Sequence, residues 1–250
     1  MKNLLLPLLL TISLYSFGQE DRINIKLYAG RALPQDELAE KDDINNSGFA
    51  EKGIVGGFTF GIPISKNVQV DFDLHRASYK VDENAFFNAY FQQYIIEIQR
   101  QNPNKDVKST IATGSYINTN SFASLKLSLG EDEFRLYAKP GLGISWLSLP
   151  NLNETLKVGV DEIFSYSTYE TATAFMLNLS AGAEYKLNEN ISLDFNIQYL
   201  FSEFEVEGSL YAEDQNGNTL YYSETNRYTF STINLTLGLV FYIKSNSKSN

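Results

Sequence analysis

From Ile23 onward, apolar and polar residues alternate with a period of two, the pattern of strands that each keep one apolar face. In the first such segment Ile23, Ile25, Leu27 and Ala29 share one face, and Asn24, Lys26 and Tyr28 share the other. The alternation returns at residues 58–64, 68–75, 123–129, 134–146, 175–187, 191–201 and 233–243. The pattern therefore predicts eight strands. Their connections alternate in length: 65–67, 130–133 and 188–190 are tight polar turns, whereas 34–53, 81–114, 150–172 and 208–227 are long. Pro140 falls on the apolar parity of its strand with Gly141 and Gly143 beside it, which predicts a bulge.

An up-and-down antiparallel barrel has this asymmetry of short and long connections, and an even strand count returns both chain ends to one side. Two kinds of barrel share the pattern. A soluble, lipocalin-like binding barrel points its apolar face inward, whereas a membrane barrel points it at acyl chains. Three features favour the membrane. The apolar face is almost uninterrupted across the last four segments. The opposite face mixes Lys26, Asp71, Asp73, Lys126, Arg135, Lys139, Glu184 and Asp194 with small residues, as a narrow polar lumen does. Each apolar stripe also suits the tilted crossing of ~9–11 residues, with Trp146, Tyr185, Tyr199 and Phe241 near stripe ends.

Met1-Lys2-Asn3, the apolar run Leu4 to Leu10 and the small residues Ser13, Ser16 and Gly18 read as a secretory signal peptide cut after Gly18. The expected organisation is 1–18 signal peptide, 19–244 barrel and 245–250 polar tail. This leader, the eight alternating segments and the final strand "INLTLGLVFYIK" resemble the small outer-membrane barrels of the OmpA/OmpX-like superfamily. The end of that strand, Gly238 to Ile243, is similar to their assembly signal, which usually finishes in an aromatic residue; here Lys244 and a polar tail follow. The resemblance implies an all-β, eight-stranded antiparallel up-and-down transmembrane β-barrel with long extracellular loops, one containing a helix. It further implies a bacterial outer-membrane location with both termini periplasmic, contact with outer-membrane lipid and lipopolysaccharide, and a monomer.

Composition narrows the chemistry. Thirty acidic against twenty basic side chains give a net charge of -10, the wrong sign for a nucleic-acid surface. The absence of cysteine excludes disulfides, thiolate metal sites and thiol catalysis, and one histidine leaves little room for imidazole metal sites. No metal and no cofactor is expected. The charges on the polar face nearly balance, with Lys26, Lys126, Arg135, Lys139 and Lys186 against Asp71, Asp73, Glu184 and Asp194. Unpaired charges in a narrow lumen are costly, so a paired network and a plugged barrel follow. Asp71, Asp73 and His75 share one strand face. Membrane-barrel proteases place such residues near the rim of a wider barrel, and this cluster lies nearer mid-strand, so His75 is read as part of a salt-bridged lumen. Ser78 points away from His75, which counts against a lipid deacylase. The protein is expected not to be an enzyme.

The long connections hold the remaining signal. The segment Leu33 to Lys52 is acidic, with Asp36, Glu37, Glu40, Asp42, Asp43 and Glu51. Residues 82–101 predict a helix capped by Asp82, with Phe87, Tyr90, Phe91, Tyr94, Ile95 and Ile98 on one apolar stripe. That stripe either caps the barrel mouth or presents a docking face. Asn216-Gly217 predicts the tip of a hairpin that extends the last two strands. Around Phe204 and Val206 the apolar parity switches, with Glu203, Glu205 and Glu207 taking the former apolar face, as when a strand leaves hydrocarbon. A candidate interaction surface thus comprises Phe87, Tyr90, Phe91, Tyr94, Asn216 and Gly217. The leading expectation is an envelope-structural or surface-interaction barrel, with a surface protein as the candidate partner. The alternatives are a narrow conduit for small, even apolar, molecules and a soluble binding barrel.

Overall fold

A strand with one apolar and one polar face satisfies its backbone only when both edges are paired, and a ring of such strands leaves no edge. The chain resolves that demand by closing eight strands into a ring. The structure is a computed structural model that describes residues 22–42, 47–130, 133–214 and 216–244. The ring strands are β1 (Arg22–Gln35), β2 (Gly53–Ser65), β3 (Val68–Lys80), β5 (Ser115–Gly130), β6 (Phe134–Ser148), β9 (Ala172–Lys186), β10 (Ile191–Asp214) and β11 (Thr219–Lys244). All neighbours are antiparallel, and pairing of β11 with both β10 and β1 closes the ring.

Three further strands, β4 (Val107–Thr113), β7 (Leu152–Val158) and β8 (Asp161–Tyr169), lie in stretches that the alternation pattern leaves as loops. The expected eight-stranded barrel is thus present as the ring, and these three strands are added to it within the long connections, making eleven among the described residues. The cause is the length of β10. Its pairing with β9 ends at Ser202↔Met176, and the protruding part from Gly208 to Asp214 is an open edge. β8 takes that edge, β7 pairs with β8, and β4 pairs with β7, so a sheet extends sideways above one end of the ring.

The short turns 66–67 and 187–190 and the paired ends Arg22↔Lys244 define a turn end; the long connections gather at the opposite, loop end. At the loop end stand α1 (Asp36–Ala39) and a helical segment in three pieces. These pieces are α2 (Glu83–Tyr90), a π-helical turn (Phe91–Ile95) and α3 (Ile96–Gln101), so the single helix expected over 82–101 is interrupted. Asp82 caps α2 as expected, its Oδ1 accepting from Ala85 N–H at 3.1 Å.

Pro140 is a second correction. The ladder to β9 runs through Pro140↔Leu179 unbroken, and the β5 side skips from Ser124↔Gly141 to Leu127↔Ala138 in constant register. The missing N–H removes a ladder bond, but no residue is inserted, so no bulge forms. The register shift that does occur sits at Pro63/Ser65, where β2 runs into its turn. The expected signal peptide 1–18 and polar tail 245–250 lie outside the described residues.

The outer face of the ring is apolar: Leu27, Phe58, Phe72, Leu125, Leu142, Leu177, Phe195, Ile197, Leu237 and Leu239 are all exposed. The inner face is polar, as the alternation requires, with Asn24, Lys26, Thr59, Asp71, Asp73, Lys139 and Asp194 buried. Two glycines make room for bulk on that inner face. A Cβ at Gly182 would fall 2.4 Å from the Tyr137 ring, and one at Gly57 2.5 Å from His75 Cβ.

Candidate functional site

The inner side chains are stacked in layers from the turn end to the loop end. The lowest enclosed layer is ionic. Lys139 Nζ lies 3.1 Å from Asp71 Oδ2 and 2.9 Å from both Asp73 oxygens. Lys26 Nζ lies 3.0 Å from Asp194 Oδ1, and Lys126 Nζ 2.6 Å from Glu184 Oε2. Each pair spans a chord over one intervening strand: β3 to β6, β1 to β10, and β5 to β9. Partners on such chords meet only because the sheet is tightly curled.

Every one of these four carboxylates also takes a bond from an uncharged donor. Thr59 Oγ1 donates to Asp73 Oδ1 at 2.6 Å and Tyr137 OH to Asp194 Oδ2 at 2.9 Å. Gln69 donates to Asp71 and Tyr242 to Glu184. The Lys126 ammonium additionally sits 4.5 Å from the centre of the Tyr137 ring. Buried ion pairs are tolerated when remaining lone pairs find donors, which is the arrangement here.

Above the ions the lumen becomes neutral. Tyr28 OH stands 3.3 Å from His75 Nδ1, and Asn120 Nδ2 2.8 Å from His75 Nε2. Asn118 Nδ2 donates to Ser145 Oγ at 2.7 Å, and Asn234 Nδ2 to Gln198 Oε1 at 3.1 Å. Beside these groups lies an apolar contact cluster of Phe122, Met176 and Leu200, all buried, with Phe122 edge-on to His75. It is followed at the loop end by a larger apolar core that includes Phe49, Val55, Tyr79, Leu147, Phe204 and Phe230.

Beyond that core lies a cavity of about 530 Å³. Phe86 and Tyr90 of α2 and Tyr94 of the π turn form one wall, and Leu152, Leu156 and Ile163 of the β7–β8 hairpin form another. Tyr116, Tyr169 and Tyr228 line the rest. Among the described residues, one carboxylate reaches this space. Glu154 is buried, and its oxygens accept from Ser109 Oγ at 2.9 Å and Ser165 Oγ at 3.3 Å. Burial, with a hydrogen bond to Glu154, raises the Tyr90 hydroxyl well above its ordinary value.

A family model described as the outer membrane protein beta-barrel domain matches residues 4–241. The chain belongs to this outer-membrane β-barrel family. Among curated proteins none matches it. The barrel is similar to a major outer membrane protein from Thermus thermophilus, at 11% identity and a TM-score of 0.50, over 88% of this chain and 99% of that one. It is also similar to Neisserial surface protein A, at 14% identity and a TM-score of 0.45, over 88% and 96% of the two chains. The outer membrane protein OprG from Pseudomonas aeruginosa gives 13% identity and a TM-score of 0.45, over 91% and 99%. At these identities the likeness speaks to fold. Membership of the family indicates transmembrane strands in a bacterial outer membrane.

The ring brings Lys26, Asp71, Asp73, Lys126, Lys139, Glu184 and Asp194 together as three groups of ion pairs in one layer. Arg135 stands lower, half-buried at the turn-end mouth beside Arg22, Lys186, Glu189 and Tyr242 and in register with Glu184. His75 is in the lumen but faces Tyr28 and Asn120 instead of an acid, which corrects the salt-bridged reading. It sits one layer above the ions, where its neighbours are amides and the edge of Phe122. The helix stripe is split. Tyr90 and Tyr94 face the cavity, and Phe87 and Phe91 stack on each other outside its lining, ring centres 6.1 Å apart. Phe86, Tyr90 and Tyr94 form one i, i+4 row on the cavity, and Phe87 and Phe91 form the neighbouring row. Asn216 and Gly217 are exposed at the hairpin tip, next to Asp214, whose carboxylate accepts from Asn216 N–H and Asn218 N–H. Sequence reasoning missed Glu154. Its signal was present, since Leu152, Glu154 and Leu156 share one parity and place an acid in an apolar stripe.

Proposed function

We propose that this barrel is a non-conducting, non-enzymatic outer-membrane protein that acts through its loop end. One observation carries the reading: each enclosed carboxylate contacts a lysine and a neutral donor, Lys139 serving both Asp71 and Asp73, so the protein's own side chains already engage the charged groups a passing solute would need. The buried apolar cluster of Phe122, Met176 and Leu200 fills more of the same interior. In this reading the apolar outer belt meets the acyl chains of outer-membrane lipid and lipopolysaccharide, and the barrel is monomeric. The turn end and both termini face the periplasm, and the β4–β7–β8 extension projects outside. The stacked Phe87 and Phe91 and the tip at Asn216 and Gly217 are the points offered to a surface partner. His75 lacks the acid and nucleophile of a hydrolytic site, which supports the non-enzymatic assignment.

The test is reconstitution of the full chain into planar bilayers. The expected result is no stable single-channel conductance in molar salt. Steady conducting steps would overturn the plugged reading and favour a conduit.

A further inference from the structure

The loop-end cavity goes beyond that reading, because it can hold a molecule whether or not the lumen conducts. Three observations bear on what it holds. Its volume, about 530 Å³, falls in the range of small-molecule sites. Its walls are predominantly aromatic and aliphatic, with Phe49, Phe86, Tyr90, Tyr116, Tyr169 and Tyr228 contributing ring surface. Its one acid, Glu154, is buried among hydroxyl donors, and no lysine, arginine or histidine forms an ion pair with it among the described residues. The contrast with the lumen is direct, for there every buried carboxylate has a lysine.

We propose that this cavity binds a small organic cation, an apolar body carrying one ammonium group, with Glu154 as the counter-charge and the aromatic walls around the body. A buried carboxylate without a cation is costly, and an incoming ammonium offsets that cost. Aromatic faces attract the same charge, and most strongly where water is excluded. A neutral ligand of equal shape gains only the apolar contacts. An anion is opposed by Glu154.

The experiment uses the full barrel in nanodiscs of zwitterionic lipid, with protein-free nanodiscs as the partition control. Three probes of one shape are titrated by calorimetry: 4-phenylbutylammonium, 4-phenylbutanol and 4-phenylbutanoate. The cation is expected to bind saturably, at least tenfold more tightly than the alcohol, and the anion not at all. Glu154→Gln should weaken the cation about tenfold and leave the alcohol unchanged. Ser167→Phe, which fills the cavity wall and keeps the acid, should weaken both. Heat-dependent gel mobility checks that each variant has refolded. If Glu154→Gln does not fold, the ranking of the three probes on the unaltered protein decides the matter. Equal binding of cation and alcohol, binding that survives Ser167→Phe, or no saturable binding would each overturn the proposal. Absence of binding would leave the conductance result untouched, so the two readings fail separately.

Discussion

The two halves of β10 obey opposite rules. From Ser192 to Gln198 the inward side chains Ser192, Asp194, Asn196 and Gln198 are polar and buried, while Leu193, Phe195 and Ile197 face outward and are exposed. From Phe204 to Val206 the inward side chains are apolar and buried, while Glu203, Glu205 and Glu207 face outward. Neither the parity nor the backbone pairing with β11 changes between the halves. What changes is the surrounding solvent. In hydrocarbon the apolar face needs no cover and the polar face must be enclosed; in water the demand reverses. The lower half is thus held by matched polar groups around a ring, and the upper half by an ordinary apolar core built partly from the loops.

The sharpest way to break this comparison is to unbalance the lower half. Lys139 is only 1% exposed and is the ammonium partner of both Asp71 and Asp73. Lys139→Ala should cost about 3–5 kcal/mol, the cost of leaving buried charge uncompensated. The measurement is urea unfolding in phospholipid vesicles. Lys139→Met combined with Asp71→Leu and Asp73→Leu should recover most of that loss, because no buried charge is then left without a partner. A Lys139→Ala protein as stable as the parent would mean that the lumen is wet enough to solvate the two aspartates.

The legibility of the sequence divides along the same line. Ring strands are readable because a membrane allows no exception to apolar-out, so Leu125, Leu127 and Leu129 or Leu235, Leu237 and Leu239 stand in clean alternation. The reversal at Phe204 and Val206 is readable for the same reason. Above that level the strands lie in water, and clean alternation is no longer enforced. β8, Asp161–Tyr169, runs Asp-Glu-Ile-Phe-Ser-Tyr-Ser-Thr-Tyr, where alternation is limited to Phe164–Ser167, and β4 and β7 are seven residues each. Those three strands depend on the edge that β10 offers, which is a tertiary fact. The ionic residues were likewise visible as a set on one face, but not as pairs. Their pairing follows chords across the curled ring, and register across a barrel is not written in any one strand. Arg135 shares the parity of the set and still falls at the mouth, because parity specifies face and not depth.

A smaller effect sharpens the comparison by placing one side chain at two heights on the same outward face. Ile197→Arg, in the middle of the apolar stretch of β10, should destabilise by about 2–4 kcal/mol, the cost of a cation on the lipid face near the bilayer midplane. Glu203→Arg, six residues further along the same face, should change stability by no more than about 0.5 kcal/mol, as at an ordinary water-facing site. Both are read by urea titration in the same vesicles. Equal penalties would place the hydrocarbon boundary above Glu203, and two negligible ones would remove the membrane from this face altogether.

The smallest effect belongs wholly to the watery half, and it depends on pH. The Asp82 carboxylate accepts from Lys41 Nζ at 2.5 Å and from Ala85 N–H at 3.1 Å, and these bonds hold its pKa below the ordinary carboxylate range. A folded pKa lower than the unfolded one contributes stability that is present above the unfolded value and is lost as pH falls through the folded value. The cap over α2 should therefore hold at neutral pH and loosen in acid, below the ordinary range for an aspartate. Asp82→Ala should cost about 1 kcal/mol at neutral pH, the usual worth of a capping side chain. Most of that cost should vanish at low pH, where the parent has lost the same bond. Hydrogen exchange at the amides of Ala85 and Phe86 reads the difference locally, without unfolding the ring. Because the site is open to water, added salt should shrink the Lys41 share and leave the bond to Ala85. A pH-independent difference between parent and variant would assign the effect to packing around Phe86 instead of to the charged cap.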